Sequence, residues 1–95
     1  MSVDLVGTQA GNERVEDRVL QVIAEVQKLP IEDVTRDKTF SELGIDSLDG
    51  INIIFELESE FHISIPDEAA RTIKSVADAI DGVQRLLRER AAGLA

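Results

Sequence analysis

Apolar residues recur at helical spacing in three stretches of the chain and thin out into isolated anchors between them. Val15, Val19, Val22, Ile23 and Val26 follow the i, i+4, i+7, i+8, i+11 pattern, one stripe of a helix predicted from a cap at Asn12 to about Lys28. Glu13, Glu16 and Asp17 stand near its positive end, and Pro30 stops it. Residues 30–45 have no period. There Ile31, Val34, Phe40 and Leu43 are spaced to anchor a long connection onto a core, with a short helical turn predicted at Thr39–Leu43 and a break at Gly44. Asp46 opens a second helix that runs to about Phe61. Asp46 suits the N-cap and Asp49 the third position, a carboxylate variant of the capping box, which makes Ser47 the first helical residue. Leu48, Ile51, Ile54, Phe55 and Phe61 form one stripe, and Ile53 and Leu57 widen it. Asp49, Asn52, Glu56 and Glu60 fall on the opposite stripe, with Glu58 and Ser59 beside them. So wide an apolar arc implies packing against more than one helix, or the lining of a cavity.

Ile63–Ile65 reads as extended, and Pro66-Asp67-Glu68 suits the start of a helix of one to two turns ending near Arg71. Ser75 begins the last helix with Asp78 at its third position. Val76, Ala79, Ile80, Val83, Leu86 and Leu87 are its core stripe, and Arg85, Arg88 and Arg90 favour its C-terminal end. The sum is an all-α, four-helix domain over residues 12–90, with three long helices, one short helix and a long first loop. Residues 1–11 are predicted to be a disordered lead-in and residues 91–95 a frayed tail.

Composition narrows the function. The chain has 95 residues, with 19 acids against 10 bases and a formal net charge of −9. That sign opposes nucleic-acid backbones and points to basic partners. With no Cys and only His62, thiolate zinc sites, disulfides, a cysteine nucleophile and His-based metal clusters are all excluded. No apolar run approaches the roughly 18 residues of a membrane span, and the basic-then-apolar pattern of a signal peptide is missing, so a cytoplasmic monomer is expected. The charge is also concentrated: residues 32–68 hold eleven acids and two bases, whereas residues 69–95 hold three acids and five bases.

The segment Gly44-Ile45-Asp46-Ser47-Leu48-Asp49-Gly50 lies at the centre of that acidic stretch. A serine between two acids at a helix start suits a nucleophile, a cap neighbour or a modification site. A nucleophile needs a base within hydrogen-bond reach. His62 is fifteen residues on, roughly 22 Å along the same helix, and the G-x-S-x-G spacing of a nucleophile elbow is not met. An EF-hand beginning at Asp33 would need Gly where Lys38 stands and Glu where Gly44 stands. No enzyme is expected.

Gly44-Ile45-Asp46-Ser47-Leu48-Asp49 closely resembles the phosphopantetheine attachment motif of acyl carrier proteins. The resemblance continues through Phe55-Glu56-Leu57-Glu58, Glu60-Phe61, Ile65-Pro66-Asp67-Glu68 and the run from Ser75 to Ile80, covering roughly residues 13–88. It implies an acyl-carrier-like bundle on which a separate phosphopantetheinyl transferase, such as a holo-acyl-carrier-protein synthase, places 4′-phosphopantetheine from coenzyme A at Ser47. The terminal thiol of that arm then carries acyl groups as thioesters in fatty acid or related acyl-chain biosynthesis. The resemblance assigns partner recognition to Asp46, Leu48, Asp49, Ile51, Asn52, Glu56, Glu58 and Glu60, facing basic surfaces of synthases, reductases, dehydratases or acyltransferases. It assigns an acyl-chain cavity to Ile53, Leu57, Phe61, Ile65, Ala70, Ile73, Val76, Ala79 and Ile80, which any helical core would also need. With two carboxylates beside Ser47, the phosphate is expected to point outward into solvent. Asn52 and Gly50 depart from the pattern of fatty-acid-synthesis carriers, and two further features resemble other branches of the family. The two-residue gap between Phe40 and Leu43 is similar to polyketide or peptide-synthetase carriers. The Ile53-Ile54-Phe55-Glu56-Leu57 run with the following Glu60-Phe61 is similar to specialised carriers of long or hydroxylated chains.

Overall fold

The computed structural model describes residues 11–91, which form four α-helices and a single 3₁₀ turn. Helix α1 spans Gly11–Gln27, the 3₁₀ turn Ile31–Asp33, α2 Ser47–Phe61, α3 Asp67–Thr72 and α4 Val76–Ala91. The predicted lead-in and tail, apart from Gly11 and Ala91, lie outside the described residues. Those two residues belong to helices.

Helix α1 begins one residue before the predicted cap, so Asn12 lies within the first turn, where backbone N–H groups have no intrahelical acceptor in any case. It also ends before Pro30 can stop it. Lys28 takes a left-handed φ of 56°, and the Leu29 N–H reaches back to the Ala24 carbonyl at 2.9 Å, which closes the helix through its own backbone. Helix α2 ends in the same way: His62 has φ 55°, and the Ile63 N–H donates to the Glu58 carbonyl at 3.1 Å. His62 is exposed and serves as a helix terminator. Arg90 of α4 donates to the Phe61 and His62 carbonyls, satisfying acceptors that the end of α2 leaves free.

The core is built where α1 packs on both α2 and α4. Val19 and Ile23 from α1, Ile53 and Leu57 from α2, and Val76, Ile80 and Val83 from α4 have no exposed surface. Among the described residues no polar or charged side chain is buried, so the interior is wholly apolar. Ion pairs tie the helices at the surface: Arg18 of α1 meets Glu60 of α2 at 2.6 Å, and Arg36 in the loop lies 3.7 Å from Glu16 and 3.6 Å from Asp81.

The apolar face of α2 differs from the predicted stripe. Ile53, Ile54 and Leu57 are buried, whereas Leu48, Ile51 and Phe55 are 71%, 48% and 61% exposed. The helix has apolar residues around more of its circumference than α1 and α4 can cover, and those three fall on the uncovered side. In the long loop Val34 and Phe40 are buried as anchors and Leu43 partly so, but Ile31 is 46% exposed. The 3₁₀ turn closes by the Asp33 N–H to the Pro30 carbonyl and the Val34 N–H to the Ile31 carbonyl, and only Val34 reaches the core.

The second half of the loop is held by two sets of hydrogen bonds. Thr39 and Glu42 form a full capping box, with the Thr39 N–H donating to Glu42 Oε1 at 2.8 Å and the Glu42 N–H to Thr39 Oγ1 at 3.1 Å. This box starts the expected turn at Thr39–Leu43. An antiparallel bridge between Thr39 and Ser75 then fastens the turn to the start of α4. Its bonds are the Phe40 N–H to the Lys74 carbonyl and the Val76 N–H to the Lys38 carbonyl, both 3.0 Å.

Candidate functional site

Ser47 owes its position to the turn before it. The Ile45 N–H donates to the Phe40 carbonyl at 2.9 Å, and Gly44 takes φ +75°, a conformation that favours glycine. Ile45 is buried, which fixes the chain just before Asp46. Asp46 has an extended backbone, and its Oδ1 accepts the Asp49 N–H at 2.9 Å while its carbonyl accepts the Gly50 N–H at 2.9 Å. Asp46 is the N-cap of α2, and Ser47 is its first residue, exposed to solvent. At the start of α4, the second capping-box candidate, Ser75 Oγ accepts the Asp78 N–H at 3.0 Å, and the Asp78 carboxylate accepts the Lys74 N–H at 3.0 Å.

A cleft of about 510 Å³ opens beside Ser47, with Phe40, Ile45, Ile51, Ile54, Ala70 and Ile73 as its apolar lining. Of the nine predicted cavity residues only Ala70 and Ile73 line it. Ile53, Leu57, Val76, Ala79 and Ile80 are closed inside the packed core, because α2 turns Gly50, Ile51 and Ile54 toward α3 and keeps Ile53 and Leu57 for α1 and α4. Ile65 faces a separate groove between α3 and α4, and Phe61 a shallow depression against α1. The spacing carried a signal for the lining of this cleft: residues 50, 51 and 54 lie three, four and seven positions after Ser47, on its own helical face.

The predicted recognition residues divide into two groups. Asp46, Leu48, Asp49, Ile51, Asn52 and Glu56 cluster on the outer face of α2 near Ser47 and are exposed or partly so. Glu58 and Glu60 have internal partners: Glu58 Oε2 accepts the Ile65 N–H at 2.7 Å, bracing the extended segment before α3, and Glu60 pairs with Arg18. Both are only partly exposed. Among the described residues no group of His, Asp and Glu has the arrangement of a metal site, and no helix is long and apolar enough to cross a membrane.

Comparison with known proteins agrees with this geometry. Residues 17–81 match the family described as a phosphopantetheine attachment site. An acyl carrier protein of Porphyromonas gingivalis is 40% identical over 75 residues, which span 78% of this chain and 96% of that protein. One from Rickettsia bellii is 41% identical over 73 residues, 76% of this chain and 85% of that protein. The crystal structure of an acyl carrier protein from Thermotoga maritima superposes with a TM-score of 0.73 at 33% identity, covering 83% of this chain and 93% of that one. A helical bundle that displays a capped serine beside an open cleft thus joins a match over most of the sequence, and the chain belongs to the acyl carrier proteins of the phosphopantetheine-attachment family.

Proposed function

We propose that Ser47 is the residue to which 4′-phosphopantetheine is joined, and that the outer face of α2 is where partner enzymes dock. One observation carries the first part. Ser47 is exposed at the first position of α2, at the mouth of the cleft, on a backbone fixed by the Asp46 cap. These residues fit the group: the hydroxyl is open to a transferase, and first-turn N–H groups with the helix dipole favour the phosphodiester that replaces it. When bound, the group supplies a thiol for thioester formation, chemistry that a chain without cysteine lacks.

The chain's own residues hold and present that attachment point. Asp46 sets the start of the helix, Gly44 and Ile45 set the direction of entry, and the Thr39–Glu42 box with the Thr39–Ser75 bridge keeps the loop against α4. Asp46, Asp49 and Glu56 supply negative charge around Ser47, and Leu48 and Ile51 supply exposed apolar contacts. Charges of this kind steer encounter with a basic partner without forcing slow release, which suits a carrier that must visit a transferase and then several acyl-processing enzymes of fatty acid or related acyl-chain synthesis.

The test is incubation with coenzyme A and a promiscuous phosphopantetheinyl transferase, followed by intact-mass measurement. One arm should be added to the natural chain and none to Ser47→Ala. An unmodified natural chain, or a modified Ser47→Ala, would overturn the assignment.

A further inference from the structure

We propose that Arg71 and Lys74 form a cationic wall that draws the phosphodiester on Ser47 into the cleft, so that the base of the arm lies along the groove between α2 and α3 instead of projecting into solvent. The inference rests on Ser47 being the attachment residue. Its starting observation is that Ser47, Arg71 and Lys74 line one and the same cleft. They are also the two bases on a cleft whose other charged side chains are carboxylates. The preceding stretch, residues 32–68, is overwhelmingly acidic, yet the two basic side chains on this cleft stand across from the serine.

The carboxylates facing the cleft are those of Asp46 and Asp67. Asp46 already accepts the Asp49 N–H. Asp67 stands one turn before Arg71 on α3, yet among the described residues neither Arg71 nor Lys74 is within ion-pair distance of a carboxylate. Both cations are exposed and available to an anion. A place in the last turn of α3 would account for Arg71 through the helix dipole, but Lys74 lies beyond the helix and that account does not reach it.

Their backbones are well placed to keep them there. The Lys74 N–H donates to Asp78 Oδ2 at 3.0 Å, and the Lys74 carbonyl accepts the Phe40 N–H at 3.0 Å, so this residue is the joint between the loop and α4. Arg71 is held one turn away, where the Ile73 N–H closes α3 on the Ala70 carbonyl at 3.2 Å. A phosphodiester offers two non-bridging oxygens, which suit a guanidinium fork and a compact ammonium. Beneath them Ile51, Ile54 and Ile73 give an apolar floor for the methyl and methylene groups of the arm. Asp46 and Asp67 also face this cleft, and the paired cations must outweigh their carboxylates to hold the phosphate there.

The experiment uses the full chain, isotope-labelled and loaded with an unlabelled arm, with intact mass confirming the load. Magnetisation transfer from arm protons to the methyls of Ile51, Ile54 and Ile73 is read by NMR at low and high salt. The same spectra are taken of the doubly substituted Arg71→Gln, Lys74→Gln chain. We expect arm-to-methyl contacts in the natural protein at low salt, and their weakening both by added salt and by the double substitution. The salt titration of the unsubstituted protein carries the test even if the variant fails to fold. A loaded protein with no such contacts, or with contacts indifferent to salt and substitution, overturns the proposal while leaving Ser47 in place. Slower loading of the variant with unchanged arm contacts also overturns it and assigns the pair to transferase docking. If no mass is added, the Ser47 assignment falls and this inference falls with it.

Discussion

The Asp46 carboxylate accepts the Asp49 backbone N–H at 2.9 Å, so an acid of the proposed docking face is also the cap of the helix that carries it. The two roles separate by substitution. Asp46→Ala removes the acceptor and should cost about 1 kcal/mol of stability, lowering Tm by roughly 4–8 °C for a domain of this size. Asp46→Asn keeps a good cap but discards the charge. Its Tm should stay near that of the natural chain, while its loading by the transferase slows at low salt. If thermal unfolding shows Asn as damaging as Ala, the cap is not what Asp46 contributes.

Glu56 and Glu60 provide a second separation on the same helix. Glu56 is exposed, whereas Glu60 is tied to Arg18 at 2.6 Å. Glu56→Lys should leave stability within about 0.5 kcal/mol yet slow loading strongly at low salt, with the gap narrowing as salt is raised. Glu60→Gln should lose about 0–1 kcal/mol from a partly exposed ion pair and change the loading rate less. Equal rates for Glu56→Lys and the natural chain at low salt would reduce the acidic face to a solvated surface.

How the sequence could be read differs between the helix ends and the helix faces. The start of α2 was legible because an N-cap is a local device: Asp46, Ser47 and Asp49 determine it among themselves. The inward face of α2 was not, because Leu48, Ile51 and Phe55 are as apolar as Ile53, Ile54 and Leu57, and periodicity cannot tell which of two apolar arcs finds a partner. That decision is made by α1 and α4. The seating of the loop was hidden for a similar reason, since its bridge joins Thr39 to Ser75 across α2 and α3. The Thr39–Glu42 box, by contrast, has the local spacing of a capping box and was open to reading.

Two neighbouring residues on α2 test that division of faces. Leu57 has no exposed surface, and Leu57→Ala should cost roughly 2–5 kcal/mol in denaturant unfolding. Phe55 is 61% exposed, and Phe55→Ala should change stability by no more than about 0.5 kcal/mol. Its effect should instead fall on transfer of acyl groups to and from partner enzymes. A large stability loss at Phe55 would mean that α2 packs with a different rotation.

The Asp37 carboxyl lies below its ordinary value, first because the Thr35 hydroxyl donates to it, then because its own backbone N–H does; desolvation opposes them, and the charge of Lys38 adds least. A pKa depressed in the folded chain contributes stability that is present above the unfolded value and is lost as pH falls through the folded one. Thr35→Val should therefore raise the Asp37 pKa toward 3.8 in an NMR titration and remove its share of the acid dependence of unfolding. A titration curve unchanged by Thr35→Val would show that the hydroxyl is not the main cause.

Gly44 and Gly50 flank the attachment serine and should respond to alanine with opposite signs. Gly44 has φ +75° with nothing within 4 Å of an added Cβ, so space is no obstacle and the backbone alone resists. Gly44→Ala should cost roughly 1–2 kcal/mol from the left-handed conformation and, by disturbing the turn that delivers Ile45 and Asp46, should slow loading of Ser47. Gly50 sits in the first turns of α2, and an added Cβ there also meets nothing within 4 Å. Gly50→Ala should stabilise the helix by up to about 1 kcal/mol. It would add a methyl to the lining of the cleft beside Ser47, so stability should rise while the contacts between arm and groove change. Thermal unfolding of the two variants, together with their loading rates, checks the pair; a shift of the same sign at both positions would mean that backbone conformation is not what distinguishes them.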